Sequence, residues 1–434
     1  MNSLNEYLME SLDFSHSEYH SVEKMKETLI KNNFIELHEG ESFNLKAGQK
    51  YFVIRNLTSI IAFKLPSKID DLYFKVFASH TDSPGYKIKE NPVLIENGYE
   101  KLKVEGYGGM IISSWLDKPL GIAGRIVVKE DNKIKSKLID SLKDLVIIPN
   151  VAIHQNREIN NGFKYNNQID LCPIIGDALK EGTNYEAFLN SFISKDEKIL
   201  ATDLYLYNRN NATFVGINND YIASPKLDDL ASGFISLKGF IDGEDFKGVP
   251  IFAALNNEEV GSLSISGADS TFLYDILRRI SLFYSLNEEE YYKAIAKSFL
   301  ISIDNAHAIH PNHPELSDNK NQCYINKGIV IKHNSNMLYT TDALSSALIK
   351  SISEIYNVPY QEFFNRSDAR GGSTLGNISN SHVSLVSVDI GLPQLAMHSN
   401  FEVIGSKDTL SLYNLVKGII NTPITFSCGS FILK

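Results

Sequence analysis

Four apolar runs, Tyr73–Ala78, Ile251–Leu255, Phe299–Ile303 and Leu385–Val388, constrain this chain more than any other feature. Runs of this length without polar alternation suit strands buried on both faces of an α/β sheet, although periodicity alone leaves buried helix segments as the alternative. Each run leads into polar chemistry. The first is followed by Ser79-His80-Thr81-Asp82, the second by Asn256-Asn257-Glu258-Glu259 and the third by Asp304-Asn305-Ala306-His307. After a Gly-Leu-Pro turn, the fourth reaches Met397-His398-Ser399. Ligands of open α/β sheets bind beyond the carboxyl ends of the strands, so the four groups are expected to converge on one crevice.

At 434 residues the chain exceeds the size at which one core keeps growing, which calls for two domains or one domain with an insertion. The stretch up to about residue 33 reads as helical, and Tyr51–Arg55 and Ser59–Lys64 read as the first strands of a sheet. From about 90 to 220 the texture changes to short strand-like pieces, such as Gly124–Val128 and Leu145–Ile148, separated by Asn, Lys and Gly. Residues 1–90 and 221–434 are therefore expected to form an α/β domain with a mixed central sheet flanked by helices. A smaller β-rich domain, residues 91–220, would interrupt it. Later, Leu344, Leu348, Ile352 and Ile355 mark one face of a helix behind an Asp342 cap.

The net charge of −10, with no basic stripe, argues against a nucleic-acid partner, because such binding needs clustered Lys and Arg to displace counterions. The N-terminus lacks a basic patch followed by an apolar run, and nowhere do about eighteen apolar residues occur together. No membrane partner and a cytoplasmic location are expected. Cys172, Cys323 and Cys428 are odd in number and far apart, which reads as free buried thiols.

Two His and three carboxylates suffice for two zinc-type ions that keep positions open for water and substrate. In this arrangement Asp228, within Ser224-Pro225-Lys226-Leu227-Asp228-Asp229, bridges both ions. His80 and Asp304 complete one, and Glu259 and His398 complete the other. Glu258 stays off the metal as the proton-transferring base, and Asp82 is placed to hold the second imidazole nitrogen of His80. Each residue alone has an ordinary reading. A lone His after a strand is usually hydrogen-bonded structure, and a Glu-Glu pair is usually solvated surface. Spacing by itself leaves a metal hydrolase and a set of unrelated structural residues evenly matched.

Longer motifs break the tie. Ser79-His80-Thr81-Asp82-Ser83-Pro84-Gly85, Ile148-Pro149-Asn150-Val151-Ala152-Ile153-His154, Ser224 to Leu230, Asn257-Glu258-Glu259-Val260-Gly261-Ser262, Asp304 to Asn312, Arg370-Gly371-Gly372-Ser373-Thr374 and Pro393 to Ser399 resemble the aspartyl aminopeptidase family, in the family's order and over nearly the whole chain. The resemblance implies a peptidase that removes N-terminal Asp or Glu from peptides with two divalent ions, most commonly Zn2+. It implies the ligand set given above, a β-rich inserted domain and a hollow tetrahedral homododecamer. It also implies a cis peptide at Asp228-Asp229 and a His154 that reaches an adjacent subunit's site. Direct metal binding and a buried structural role are the other readings of His154. His307, His310 and His313 read as loop and interface packing.

Family members carry Arg where this chain has Asn336-Met337-Leu338-Tyr339, Arg in the stretch Asn400-Phe401, and a Lys-His pair near Leu316-Ser317. Lys332 matches the family's basic residue in the specificity pocket, and Tyr339 is expected beside it in contact with substrate. Two competing readings remain. One is a related dinuclear deacylase or carboxypeptidase, against which the resemblance through the inserted domain speaks. The other is a catalytically idle assembly or cargo-binding scaffold, which would have no chemical need to keep the five ligands and Glu258.

Overall fold

In the computed structural model, which describes residues 2–244, 246–369, 371–427 and 429–433, the four apolar runs become four adjacent parallel strands. Their spatial order is Val249–Leu255, Phe74–His80, Phe299–Ile303 and Val386–Gly391. Nearly every residue in them is buried, which is why they show no polar alternation. Antiparallel neighbours flank this parallel centre. Ser59–Lys64 pairs with Val249–Leu255 on one side and Ile329–His333 pairs with Val386–Gly391 on the other. Lys50–Arg55, Ile35–Leu37 and Tyr360–Phe364 complete a nine-stranded mixed sheet.

Alternate residues feed two cores. Phe77, Phe252 and Ala254 pack with the helices Leu227–Asp242 and Asp408–Asn421, whereas Val76, Ala78, Ile251 and Ala253 pack with the helix Phe272–Phe283. Two buried lysines on core strands close helix ends. Lys64 Nζ donates to the carbonyls of Phe240 and Gly243, both at 2.6 Å, and Lys75 Nζ donates to those of Ile419, Ile420 and Thr422 at 2.9, 3.0 and 2.6 Å. The carbonyls at a helix C-terminus lack intrahelical partners and carry partial negative charge, so an ammonium is well matched to them.

A second, antiparallel sheet of seven strands runs from Gly85–Glu96 to Glu197–Asn208 in sequence, and pairing of Glu197–Asn208 with Pro119–Glu130 closes it into a barrel. It encloses its own core around Tyr86, Trp115, Ile122 and Leu204. Between its strands Val146–Ile147 and Ile174–Asp177 the chain has neither helix nor strand. There it exposes His154 together with Val151, Ile153 and Ile169. The fold class is thus the mixed α/β arrangement with a separate β-rich unit that the sequence implied. A third sheet, in the order Thr213–Val215, Tyr221–Ser224, Glu402–Gly405, Pro393–Leu395 and Ala306–His307, lies beside the strand ends.

The structure refines one local reading and corrects another. The N-terminal helical stretch is two helices, Asn2–Phe14 and Glu18–Lys31. Helix Ala343–Tyr356 is capped by Asp342, which accepts the Ser345 N–H at 2.7 Å, but its inward stripe is Ser345, Leu348, Ile349 and Ile352. Ile355 is exposed, because its position at the helix end is rotated off that stripe. Cys172 and Cys323 are buried and free, and Cys428 lies outside the described residues. Among the described residues no helix is long and apolar enough to cross a membrane.

Candidate metal centre

His80 ends the strand Phe74–His80, Asp304 follows Phe299–Ile303, and Glu258-Glu259 follow Val249–Leu255 after the tight turn at Asn257. Asp228 opens the helix Leu227–Asp242 in non-helical geometry, and the Asp228–Asp229 peptide is cis. These segments and His398 meet. The two oxygens of Asp228 face different histidines, with His80 Nε2 at 3.6 Å from Oδ1 and His398 Nε2 at 3.3 Å from Oδ2. Asp304 Oδ1 lies 3.9 Å from His80 Nε2, and Glu259 Oε1 lies 3.4 Å from His398 Nε2. Within each of two sets, His80 with Asp228 and Asp304, and His398 with Asp228 and Glu259, donor atoms lie within 4.8 Å of one another. A third such set is His80 with Glu258 and Glu259.

Several features fit these residues to cations. His80 Nδ1 lies 3.0 Å from the Asp82 carbonyl and His398 Nδ1 lies 2.7 Å from the Gly109 carbonyl. A carbonyl can only accept, so each Nδ1 carries hydrogen and Nε2 is the nitrogen each ring turns toward the cluster, bare once a cation displaces its proton. Asp228 Oδ1 is buried without a hydrogen-bond partner, a costly state for a carboxylate unless a positive ion faces it. In the metal-free chain, burial together with repulsion from Asp304, Asp82 and Asp228, partly opposed by His80, pushes Glu258 up to about 8. Burial alone would lower His398, but the Asp228 and Glu259 carboxylates outweigh it and lift the imidazole to about 10.

The Asp82 carboxylate faces His80 Nδ1 and also holds the neighbouring turn. Its oxygen lies 3.4 Å from His80 Nδ1, farther than its own main-chain carbonyl. The side chain receives the Tyr107 hydroxyl at 2.7 Å and the N–H groups of Glu258 and Glu259, both at 3.2 Å, so it holds the Glu-Glu turn. Asn257 Nδ2 donates to the Tyr107 oxygen at 2.8 Å and ties that turn to the barrel. Gly108, with φ of +69°, lies so close to Glu259 that a Cβ there would sit 3.2 Å from the glutamate's Cβ.

Lys332 and Tyr339 line the same cavity of about 530 Å³ as the cluster. Lys332 is buried, and its Nζ donates to Asp304 Oδ2 at 3.1 Å and to the Asn305 carbonyl at 3.3 Å, 5.1 Å from the centre of the Tyr339 ring. His154 is exposed and lies in none of these groupings. His310 and His313 pair across a turn with ring centres 5.3 Å apart, and His313 meets Glu315. Glu402 was not singled out from sequence. It is buried and accepts the main-chain N–H of Asp228 at 3.0 Å and of His398 at 2.6 Å. Its one sequence signal is a lone acid four residues after His398.

A mainly parallel sheet centre whose strand ends gather two His-carboxylate sets around one shared Asp defines a metal-dependent hydrolase. The model of a peptidase family described as aminopeptidase I zinc metalloprotease (M18) matches residues 11–419. The chain belongs to that family and is a zinc metalloaminopeptidase, a hydrolase of the exopeptidase type. It is 41% identical over 415 residues to a probable M18 family aminopeptidase 2 of Clostridium acetobutylicum, covering 93% of this chain and 96% of that one. A protein of the same name from Stutzerimonas stutzeri is 38% identical over 423 residues, covering 96% and 97%. Among solved structures, the Ape4 chain of an Ape4–Nbr1 complex superposes with a TM-score of 0.92 at 31% identity, over 97% of this chain and 86% of that one. The S. cerevesiae mApe1 dodecamer gives 0.81 at 25% identity, over 96% and 97%. Family membership displaces the deacylase and carboxypeptidase readings.

Proposed function

We propose that the chain removes N-terminal Asp or Glu from short peptides with two zinc ions, as a cytoplasmic homododecamer. The observation that carries this reading is Asp228, whose two oxygens each face a different histidine. His80 and Asp304 would hold one ion and Glu259 and His398 the other, with Asp228 shared. When bound, the ions polarise the scissile carbonyl and acidify the attacking water. Glu258 takes the proton from that water and returns it to the leaving amine, while Asp82 fixes its main chain. Lys332 has three donors, of which Asp304 and Asn305 engage two, and the third is available to a substrate carboxylate beside Tyr339.

Assembly is supported by the exposed segment carrying His154 with Val151, Ile153 and Ile169, since apolar side chains presented together on an irregular loop favour burial against another copy. In that assembly His154 contacts substrate in a neighbouring site. The barrel of residues 85–208, which supplies this segment, is the assembly domain inserted into the peptidase domain. The buried thiols Cys172 and Cys323 suit a reducing compartment.

The test is digestion of a peptide library by the zinc-loaded protein, with sedimentation at assay concentration. Release of single acidic N-terminal residues by a particle of twelve chains is expected. Internal cleavage, release from the C-terminus, or an active monomer would refute it.

A further inference from the structure

A second cavity, of about 260 Å³, adjoins the catalytic one, and His307 and Met397 line both. Leu316, Phe363, Phe364 and Leu395 make one side of it apolar, while Asp318 and Arg366 stand elsewhere in its lining, so it offers an apolar wall that the carboxylate-lined catalytic cavity lacks. The boundary between the two is the strand Ala306–His307, the last in its five-stranded sheet. The N–H groups of Ala306 and Ala308 both donate at 2.9 Å toward the Pro393–Leu395 side, to Leu392 and Gln394. By the two-residue repeat of a strand, the main chain of His307 faces the opposite edge, where the Asn305 carbonyl accepts from Lys332 at 3.3 Å and the Ile309 N–H donates to the Cys323 carbonyl at 2.7 Å, so that among the described residues the stretch left for a peptide is His307 itself. An open edge beside an apolar pocket is the arrangement that takes an extended peptide, the edge pairing with main chain and the pocket receiving a side chain.

We propose that this cavity is the subsite for the second residue of the substrate and that it selects an apolar side chain there. This rests on the aminopeptidase reading above. With the first residue's carbonyl at the metal cluster, the chain leaving the scissile bond runs along His307 and turns its next side chain between Leu316 and Phe363. The rings of His307 and Phe363, 6.3 Å apart, form the lip over which it passes. Leu316 is 67% exposed in the free chain, an apolar side chain at a cavity rim that a bound side chain would cover. First-residue selection by Lys332 and second-residue selection by this cavity are therefore separable.

The experiment measures kcat/KM of the zinc-loaded protein on Asp-Xaa-Gly-Gly peptides with Xaa as Gly, Asp, Leu or Phe, for the native chain, Leu316→Asp and Leu316→Met. The native chain should favour Leu or Phe over Gly by about tenfold, as partial burial of one such side chain allows. Leu316→Asp should bring that ratio near unity and Leu316→Met should preserve it. Both variants should keep the native thermal midpoint and zinc content, since the side chain lies outside the core. A native ratio near unity, or a ratio unchanged in folded Leu316→Asp, would overturn the subsite. Failure of the aminopeptidase reading itself would look different, as no release of the first residue from any of the four peptides.

Discussion

One oxygen of Glu402 holds the main-chain N–H of Asp228 at 3.0 Å, and its other oxygen holds that of His398 at 2.6 Å. A single buried side chain thereby sets the spacing of two segments of the His-carboxylate cluster that approach from different parts of the fold. Glu402→Gln replaces one acceptor by a donor facing an N–H. Zinc affinity should fall about 10- to 100-fold, the usual cost of losing a group that orients a ligand. Competition with a zinc indicator measures it, and native affinity in a folded variant would contradict this role.

Glu258→Gln keeps size and removes the carboxylate proposed as the base. The protein should retain its zinc, and kcat should fall on the order of 10²- to 10⁴-fold. Metal analysis beside steady-state kinetics separates the two effects. Near-normal turnover would exclude Glu258 from proton transfer.

Zinc uptake by the metal-free protein should release protons. Asp228 and Glu259 lift His398 to about 10, so at pH 7 its imidazole is protonated, and a cation must displace that proton to reach Nε2. At least about one proton per chain should appear in weakly buffered solution at pH 7. Affinity should weaken as pH falls, because acid favours the protonated ring. Binding without release would show that the cation does not engage His398.

Lys332→Met should lower kcat/KM for Asp peptides relative to Leu peptides by about one to two decades, the worth of a charge-assisted hydrogen bond of roughly 1.5 to 3 kcal/mol. It also strips Asp304 of a buried partner at 3.1 Å, so a stability loss of about 3 to 5 kcal/mol is expected in denaturant unfolding. An equal loss on all peptides would leave Lys332 as a support for Asp304 and remove it from specificity.

The sequence by itself determined the chemistry. Strands buried on both faces favour apolar residues, with polar exceptions such as Lys75 that find buried partners, and the polar residue at the end of each is free to face a crevice, so His80, Glu258, Glu259 and Asp304 are visible as residue types at run ends. Tertiary structure decided what those residues meet. Nothing local tells that Val249–Leu255 inserts between Ser59–Lys64 and Phe74–His80, or that Ile355 turns outward while Ile349 turns in. The Gly109 carbonyl that aims His398 is 289 residues from it along the chain, and Glu402 grips Asp228 across 174. Donor type is a property of one residue and can be read in place. Ligand orientation depends on hydrogen bonds between distant segments, and these exist only once two cores have packed and brought those segments together.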